Sequence, residues 1–170
     1  LSAVTTIVGA MFPGVPVVTY INTYADVKAE SDICCTSGNA VEVVKSLKTD
    51  RVIFIPDEYL AANVARETGK QIIYPTRDPL RRFTEDLDYQ MIGWPGRCEV
   101  HEKFTVEDIA NVRKQFPDVI ILAHPECSPE VVAASDFSGS TTAMIKYVEK
   151  TNAPHYLMLT ECSMGDNVAA

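Results

Sequence analysis

The chain has 170 residues, of which 46% are hydrophobic and 22% are charged, so it can bury a core and is not of the intrinsically disordered class. No apolar run approaches the length of a membrane span, which argues against an integral membrane protein. The formal net charge of −8 makes nucleic acid a poor ligand, because an acidic surface repels phosphate backbones, but a small anionic substrate remains compatible with it.

The cysteine pattern indicates a reducing compartment. The chain has five cysteines, an odd number with irregular spacing and without an export signal, which is not the framework of a disulfide-rich protein. We therefore expect a cytoplasmic protein in which most of the cysteines are small buried hydrophobes. The five are Cys34, Cys35, Cys98, Cys127 and Cys162.

The first part of the chain alternates helical and strand patterns. Apolar runs bounded by proline-containing turns are typical of buried parallel strands. In chain order we predict a helix over 2–11, a strand over 15–21, a helix over 25–31, a small-residue turn over 36–39, a helix over 40–47, a strand over 51–56, a helix around 63–65 and a strand over 70–75.

The segment 76–104 breaks this alternation, since it is long and charged, and we expect it to be irregular. Cys98 follows two glycines and a proline in this segment, so we place it on a loop and not in a core. With His101 it forms a Cys-x-x-His pair, which is by itself a weak metal signal because a closed zinc site needs four ligands. If Cys98 binds a metal, its partners are expected outside these 170 residues.

The second part of the chain shows the same alternation. Thr105 followed by Asp108 resembles a capping box at the start of a helix. We predict a helix over 105–115, a strand over 119–124, a helix over 128–135, a small-residue turn over 139–142, a helix over 143–150, a strand over 155–160 and a helix around 167–169.

The two parts are copies of one unit at a constant offset of 116 − 12 = 104 residues, held without gaps over some fifty residues. Phe12 matches Phe116, Ser31 matches Ser135, Asp32 matches Asp136, and the Asn-Val-Ala at 63–65 matches that at 167–169. Strands alternating with helices predict the α/β class, here as tandem three-layer αβα units with parallel sheets. We place the units at 1–96, with a connecting loop over 76–96, and at 97–170.

The ends of the first strands hold the candidate acid/base groups, because ligands of open α/β sheets bind at the carboxyl ends of the strands. Tyr20 and Asn22 of the first copy correspond to His124 and Glu126 of the second. An imidazole and a carboxylate at one strand end are plausible proton-transfer groups. The alternatives are a half-buried aromatic for Tyr20 and a helix-capping pair for His124 and Glu126.

The small-residue turns hold a second set of candidates. Ser37 matches Thr141, and each lies where a helix is expected to begin. Exposed N–H groups at a helix start favour a carboxylate or phosphate, although a simple N-cap explains the same residues.

The stretches YINTYADVKAESDICCTSGNAV, GWPGRCEVHEKFT and HPECSPEVVAASDFSGST, together with Pro56-Asp57 after the second strand, resemble the quinolinate synthase family, the A protein of bacterial NAD biosynthesis. The resemblance runs nearly end to end. It implies three similar α/β domains around a pseudo-threefold axis, of which this chain holds two. Segment 1–96 would be the second domain and segment 97–170 an incomplete third, with the first domain and the C-terminal segment missing.

The resemblance also implies an activity: condensation of iminoaspartate with dihydroxyacetone phosphate to quinolinate, with L-aspartate oxidase as the supplier of iminoaspartate. The family uses a 4Fe-4S cluster held by three cysteines, with one iron position open as a Lewis acid. Cys98 matches one ligand, and the other two would lie outside this chain, so we expect the fragment alone to be inactive.

The same resemblance assigns the remaining site residues. The residues implied as catalytic are Glu126, Tyr20, His124 and His101, with Glu126 as the main proton shuttle. The residues implied to bind substrate are Tyr20, Ile21, Asn22, Ser37, His124, Pro125, Glu126 and Thr141.

Two other functions compete with this assignment. One is a cluster-free isomerase or aldolase acting on a sugar phosphate, which fits the anion-binding turns but leaves Cys98 unexplained. The other is a non-catalytic module that binds a carboxylate ligand, for which a pair of acid/base groups at one strand end is unnecessary.

Overall fold

A computed structural model describes residues 12–74 and 89–169 of the chain. The chain divides into two units, Leu1–Gly96 and Arg97–Ala170, which we call unit 1 and unit 2. The helix predicted over 2–11 and residues 76–88 of the connecting segment lie outside the described residues. None of the helices in the described ranges is long and apolar enough to cross a membrane.

Unit 1 contains a five-stranded sheet with the order β2-β1-β3-β5-β4, in which all strand pairs are parallel. Its elements are β1 (Val17–Tyr20), α1 (Ala25–Ala29), β2 (Ile33–Cys35), α2 (Ala40–Ser46), β3 (Val52–Phe54), α3 (Glu58–Thr68), β4 (Ile72–Ile73) and β5 (Met91–Gly93).

The core of unit 1 follows from apolar strands that are covered by helices. Val18, Phe54 and Met91, one from each central strand, are fully buried. They pack in one cluster with Leu60 and Val64 of α3. Near-continuous apolar strands are what a parallel sheet covered on both faces requires, so the predicted α/β class is confirmed.

Unit 2 contains a three-stranded parallel sheet with the order β7-β6-β8. Its elements are a 3₁₀ turn (His101–Lys103), α4 (Val106–Gln115), β6 (Ile120–Ala123), α5 (Pro129–Ala134), β7 (Phe137–Ser138), α6 (Thr141–Thr151), β8 (Tyr156–Leu159) and α7 (Cys162–Ala169). The predicted capping box at the start of α4 is confirmed: Thr105 N donates to Asp108 Oδ2 at 2.9 Å, and Asp108 N donates to Thr105 Oγ1 at 3.2 Å.

Both faces of the unit 2 sheet are buried at β6, as side-chain alternation along the strand predicts. Ile121 and Ala123 point to one face, where they pack with Ile109 of α4 and Val131 of α5. Leu122, between them in the strand, is fully buried on the other face. Both tandem units are therefore sheets of parallel strands packed with helices.

Three short strands were not predicted from the sequence, and one of them corrects the expectation for segment 76–104. Segment 76–104 was expected to be irregular, yet Met91–Gly93 forms β5 between β3 and β4. The other two are β2 and β7, which have three and two residues. Strands this short show no periodicity, and they form because a neighbouring strand offers its hydrogen-bonding edge.

The repeat is visible in hydrogen bonds as well as in element order. The Asp32 carboxylate accepts from Val17 N at 2.7 Å, and Asp136 accepts from Ile121 N at 2.8 Å. Both donor and acceptor are shifted by the same amount, since 121 − 17 and 136 − 32 both equal 104. The preceding serines repeat a second bond, as Ser31 Oγ donates to Val27 O at 2.8 Å and Ser135 Oγ to Val131 O at 2.7 Å.

Candidate functional site

The candidate site of unit 2 lies at the carboxyl ends of β6 and β8. These strands pair in parallel with Ala123 opposite Leu159, so the next residues, His124 and Thr160, emerge side by side at one edge of the sheet. His124 N donates to Leu159 O at 3.2 Å and extends the pairing by one residue. Both His124 and Thr160 are buried although they are polar.

A tight turn brings Cys98 and His101 to the same edge. Glu102 N donates to Cys98 O at 3.0 Å, which closes the turn just before the 3₁₀ segment. The ring of His101 is buried and stacks on that of His124, with centroids 4.4 Å apart and an interplanar angle of 15°. Its Nε2 lies 3.2 Å from Thr160 Oγ1.

Glu126 completes the group from the segment that follows β6. Its Oε2 lies 3.1 Å from His101 Nδ1 and 4.0 Å from His124 Nδ1. The shorter distance is within the range of an ion pair, but Nδ1 of His101 is a buried polar atom without a hydrogen-bond partner among the described residues. The backbone N–H of Glu126 donates to His124 Nδ1 at 3.3 Å.

These contacts determine which groups are charged. Burial alone would raise the pKa of Glu126, but the contact with His101 Nδ1, the charges of His124 and His101 and a hydrogen bond from Cys98 outweigh it and lower that pKa. Burial lowers the pKa of His124 to about 4, against the attraction of Glu126 and together with repulsion by His101. Near neutral pH the site therefore holds an ionised carboxylate beside a neutral His124.

Cys98, His101 and Glu126 could together hold a metal. Each offers one ligand atom, and these atoms lie within 4.8 Å of one another. Thiolate, imidazole and carboxylate are ligands of transition metals. In the sequence only a weak Cys-x-x-His signal is visible here, because the fold brings Glu126 to the pair from a distant position in the chain.

The other four cysteines are not part of this group, and all five are free thiols. Cys127 is buried in the core of unit 2, where its Sγ donates to Leu159 O at 3.4 Å. Burial and the neighbouring Cys34 raise the pKa of Cys35 to about 12, so its thiol is not reactive. Cys162 is exposed at the start of α7.

The candidates of unit 1 also meet at a strand end. Tyr20 is the last residue of β1, and its hydroxyl accepts from Ser37 N at 3.4 Å. Ile21 and Asn22 follow it and are exposed, Ile21 by 46%. Ser37 does not begin the next helix as expected, because α2 has Asn39 at its N-cap position.

Thr141 and Pro125 lie in unit 2. Thr141 is the first residue of α6, but the capping hydroxyl is that of Ser140, which accepts from Ala143 N at 3.4 Å. Thr141 therefore keeps an exposed side chain at the start of an eleven-residue helix. Pro125 is half-buried between His124 and Glu126. The roles of these residues stay predictions.

Thr160 was missed as a site residue. It was predicted as the last residue of a strand, and no spacing in the sequence links it to His101. Its contact with His101 spans 59 residues. The signal that could have found it is its position at a strand end beside the strand that leads to His124.

A family profile described as the quinolinate synthetase A protein matches residues 2–170. The chain is 56% identical over 158 residues to quinolinate synthase 2 of Mesorhizobium japonicum, covering 93% of the chain and 43% of that relative. It is 55% identical over 158 residues to quinolinate synthase of Agrobacterium fabrum, covering 93% of the chain and 40% of the relative. For quinolinate synthase of Xylella fastidiosa the identity is 52% over 158 residues, with 93% and 41% covered.

The match extends over nearly the whole chain, which spans about two fifths of the length of these relatives. It includes the strand ends and the turn that form the candidate sites. The chain belongs to the quinolinate synthetase A protein family.

Proposed function

We propose that the chain is part of a quinolinate synthase, which condenses iminoaspartate with dihydroxyacetone phosphate to quinolinate with loss of phosphate and water. The observation that carries the proposal is the group of Cys98, His101 and Glu126, whose ligand atoms lie within 4.8 Å in a chain of this family. Because the chain covers about two fifths of its relatives, the activity is proposed for the full-length protein. We place it in the cytoplasm, with L-aspartate oxidase as the supplier of the imine.

Cys98 fits a ligand of an iron–sulfur cluster, since such clusters are held by cysteine thiolates and its half-buried thiol lies beside His101 and Glu126. When bound, a 4Fe-4S cluster with an open iron position supplies a Lewis acid that polarises substrate oxygen. The remaining two cysteine ligands are proposed to lie outside this chain.

Glu126 is proposed to move protons during condensation and dehydration. Its lowered pKa keeps it ionised and able to accept a proton near neutral pH. His101, whose Nδ1 is 3.1 Å from Oε2, is one of the groups that lower this pKa.

His124 is proposed to act as a hydrogen-bond donor to substrate and not as a base. Its Nδ1 accepts the backbone N–H of Glu126, so in the neutral ring the hydrogen is on Nε2. A pKa of about 4 makes proton uptake unfavourable near neutral pH.

The substrate carboxylates and phosphate are proposed to bind at Tyr20, Asn22, Ser37 and Thr141, as the family resemblance implies. Thr141 begins a helix of eleven residues, whose unpaired N–H groups favour an anion. Neither the sugar-phosphate enzyme without a cluster nor the simple binding module is favoured by the comparisons.

The test is anaerobic iron and sulfide analysis of the full-length protein, with its visible absorption spectrum. Wild type is compared with Cys98→Ala and with Cys162→Ala, which removes an exposed thiol outside the group. We expect iron and visible absorption in wild type and Cys162→Ala, loss of both in Cys98→Ala, and quinolinate formation in the same pattern. An iron-free wild type that still turns over a sugar phosphate would support the cluster-free enzyme instead.

A further inference from the structure

Lys28 is a half-buried lysine whose ammonium group is bound at the end of β1. It lies in α1, directly after the buried Val27. Its Nζ donates to Ile21 O at 3.2 Å. That carbonyl belongs to the peptide bond between Ile21 and Asn22, so the ammonium lies beside the backbone of a residue to which substrate binding is assigned above.

The internal repeat shows that the fold does not need a lysine at this position. The equivalent position is 28 + 104 = 132, which holds valine. The two backbones correspond, because Lys28 N donates to Tyr24 O at 3.1 Å and Val132 N donates to Ser128 O at 2.9 Å. Val132 packs against the core of unit 2. An apolar side chain therefore serves this position of the helix, and the scaffold does not explain the ammonium group of Lys28.

The bond from Lys28 restrains the exposed turn that follows β1. Thr23 N donates to Tyr20 O at 3.0 Å and closes this turn. The Ile21 carbonyl lies inside the turn, and a charged donor binds it more strongly than a neutral donor would. Because the peptide unit is planar, a group that holds its oxygen also holds the N–H and Cα of Asn22.

We propose that Lys28 is a positioning residue for quinolinate synthesis: its ammonium group fixes the peptide bond between Ile21 and Asn22 and thereby directs the Asn22 side chain towards substrate. Asn22 is exposed after the strand, so its own packing does not hold it. The proposal rests on the proposed function, in which Asn22 binds substrate.

The first test is kinetic and uses the full-length protein. Lys28→Met keeps the length of the side chain and removes the ammonium group, whereas Lys28→Arg keeps a charged donor. We expect the KM for one of the two substrates to rise roughly 10-fold in Lys28→Met, the factor that corresponds to one hydrogen bond to a charged group. The value of kcat should change less, and Lys28→Arg should be close to wild type. If Lys28→Met does not fold, Lys28→Val replaces it, since the repeat folds with valine there.

Two controls separate positioning from other effects of the substitution. Lys45→Met removes an exposed lysine of α2 and changes the net charge equally, so it should leave KM unchanged. Lys28→Met should have no further effect on KM in the Asn22→Ala background, because interaction through a shared residue makes two substitutions non-additive. Iron content and thermal midpoint should be the same in Lys28→Met and wild type.

The second test does not depend on turnover. Carbon-13 at the isoleucine carbonyl and nitrogen-15 in asparagine mark the Ile-Asn peptide bond, which occurs once in these 170 residues. We expect the Ile21 carbonyl resonance of the full-length protein to shift in Lys28→Met and to stay near its wild-type position in Lys28→Arg and Lys45→Met.

The outcomes distinguish this proposal from the proposed function. If wild type makes no quinolinate, the proposed function fails, and the carbonyl resonance still decides whether Lys28 holds the peptide bond before Asn22. Four results would overturn the proposal: an unchanged KM in Lys28→Met, an equal rise in Lys28→Arg or Lys45→Met, additive effects of Lys28→Met and Asn22→Ala, or an unshifted Ile21 carbonyl in Lys28→Met.

Discussion

At the residue scale, the site of unit 2 keeps a carboxylate charged and an imidazole neutral although they are two residues apart in sequence. His124 is 5% exposed, and the N–H of Glu126 occupies its Nδ1. Burial therefore lowers the pKa of His124 by more than the negative charge of Glu126 raises it. The ionised form of Glu126 is instead stabilised by His101, which approaches it from a different segment of the chain. Environment and not residue type assigns the two protonation states.

The low pKa of His124 predicts a pH-dependent stability. Its pKa is about 4 in the folded state against 6.5 for the free group, so the unfolded chain binds more protons between these values. Stability from this residue is complete above about pH 6.5 and is lost as the pH falls towards about 4, by about 3 kcal/mol at most. Chemical denaturation of wild type and His124→Asn across this range measures it, since Asn keeps an acceptor for the N–H of Glu126.

The free energy of unfolding of wild type relative to His124→Asn should decrease as the pH falls. His155→Asn is the control, because His155 is exposed and pairs with Asp118 at the surface. A difference between wild type and His124→Asn that is constant from pH 7 to pH 4 would contradict the prediction.

At the element scale, each unit attaches the first strand of its repeat to the next with the aspartate of a Ser-Asp pair. The aspartate carboxylate accepts the N–H of Val17 in unit 1 and of Ile121 in unit 2. The backbone N–H of the same aspartate donates to the carbonyl of the same strand residue, at 3.0 Å and 2.9 Å. Two bonds between one pair of residues fix the position of the turn before β2 and β7.

Removing either carboxylate should destabilise its unit by a similar amount. A hydrogen bond to a charged acceptor contributes about 2 kcal/mol, and Asp32→Ala and Asp136→Ala each leave a strand N–H without its side-chain acceptor. We expect each variant to lower the free energy of unfolding by about this amount, measured by chemical denaturation.

Arg113→Ala provides the matched control for Asp136. It removes the ion pair between Arg113 and Asp136, whose side chains are about two fifths exposed, together with an exposed bond from Arg113 to Ala134 O. It leaves the bond to Ile121 in place. Exposed pairs contribute about 0.5 kcal/mol. A loss in Arg113→Ala as large as that in Asp136→Ala would assign the stabilisation to the ion pair.

At the scale of the whole molecule, the chain holds one thiol at its candidate metal group. The candidate metal group found among the described residues contains none of the other four cysteines, which are Cys34, Cys35, Cys127 and Cys162. The chain also spans about two fifths of the length of its relatives. We therefore propose that a cluster with three cysteine ligands takes the other two from outside these 170 residues.

We predict that the 170-residue chain, purified without further segments, makes no quinolinate and retains no stoichiometric cluster. A single thiolate cannot hold an iron–sulfur cluster, which is bound by several. The measurement is iron, sulfide and quinolinate determination after anaerobic reconstitution, with the full-length relative from Agrobacterium fabrum as the positive control. Stoichiometric iron and sulfide in the short chain would show that its own residues suffice.

The amino-acid sequence by itself determined the class of fold, the repeat and most of the elements. The strands at β1, β3, β6 and β8 were predicted because each is an apolar run between breakers, and the helix α4 because Thr105 and Asp108 cap it. The constant offset of 104 residues matched Asp32 with Asp136, and the structure shows that both make the same hydrogen bond. These features are local or periodic, so they depend on residues that are close together in the sequence.

Only the tertiary structure decided the short strands and the contents of the site. Met91–Gly93 is a strand because β3 and β4 flank it, and Thr160 is a site residue because β8 lies beside β6. The stacking of His101 on His124 and the low pKa of His124 depend on burial by segments distant in sequence. Strand pairing, burial and the proximity of charges depend on the three-dimensional arrangement of the chain and not on sequence order. No sequence pattern therefore predicts them.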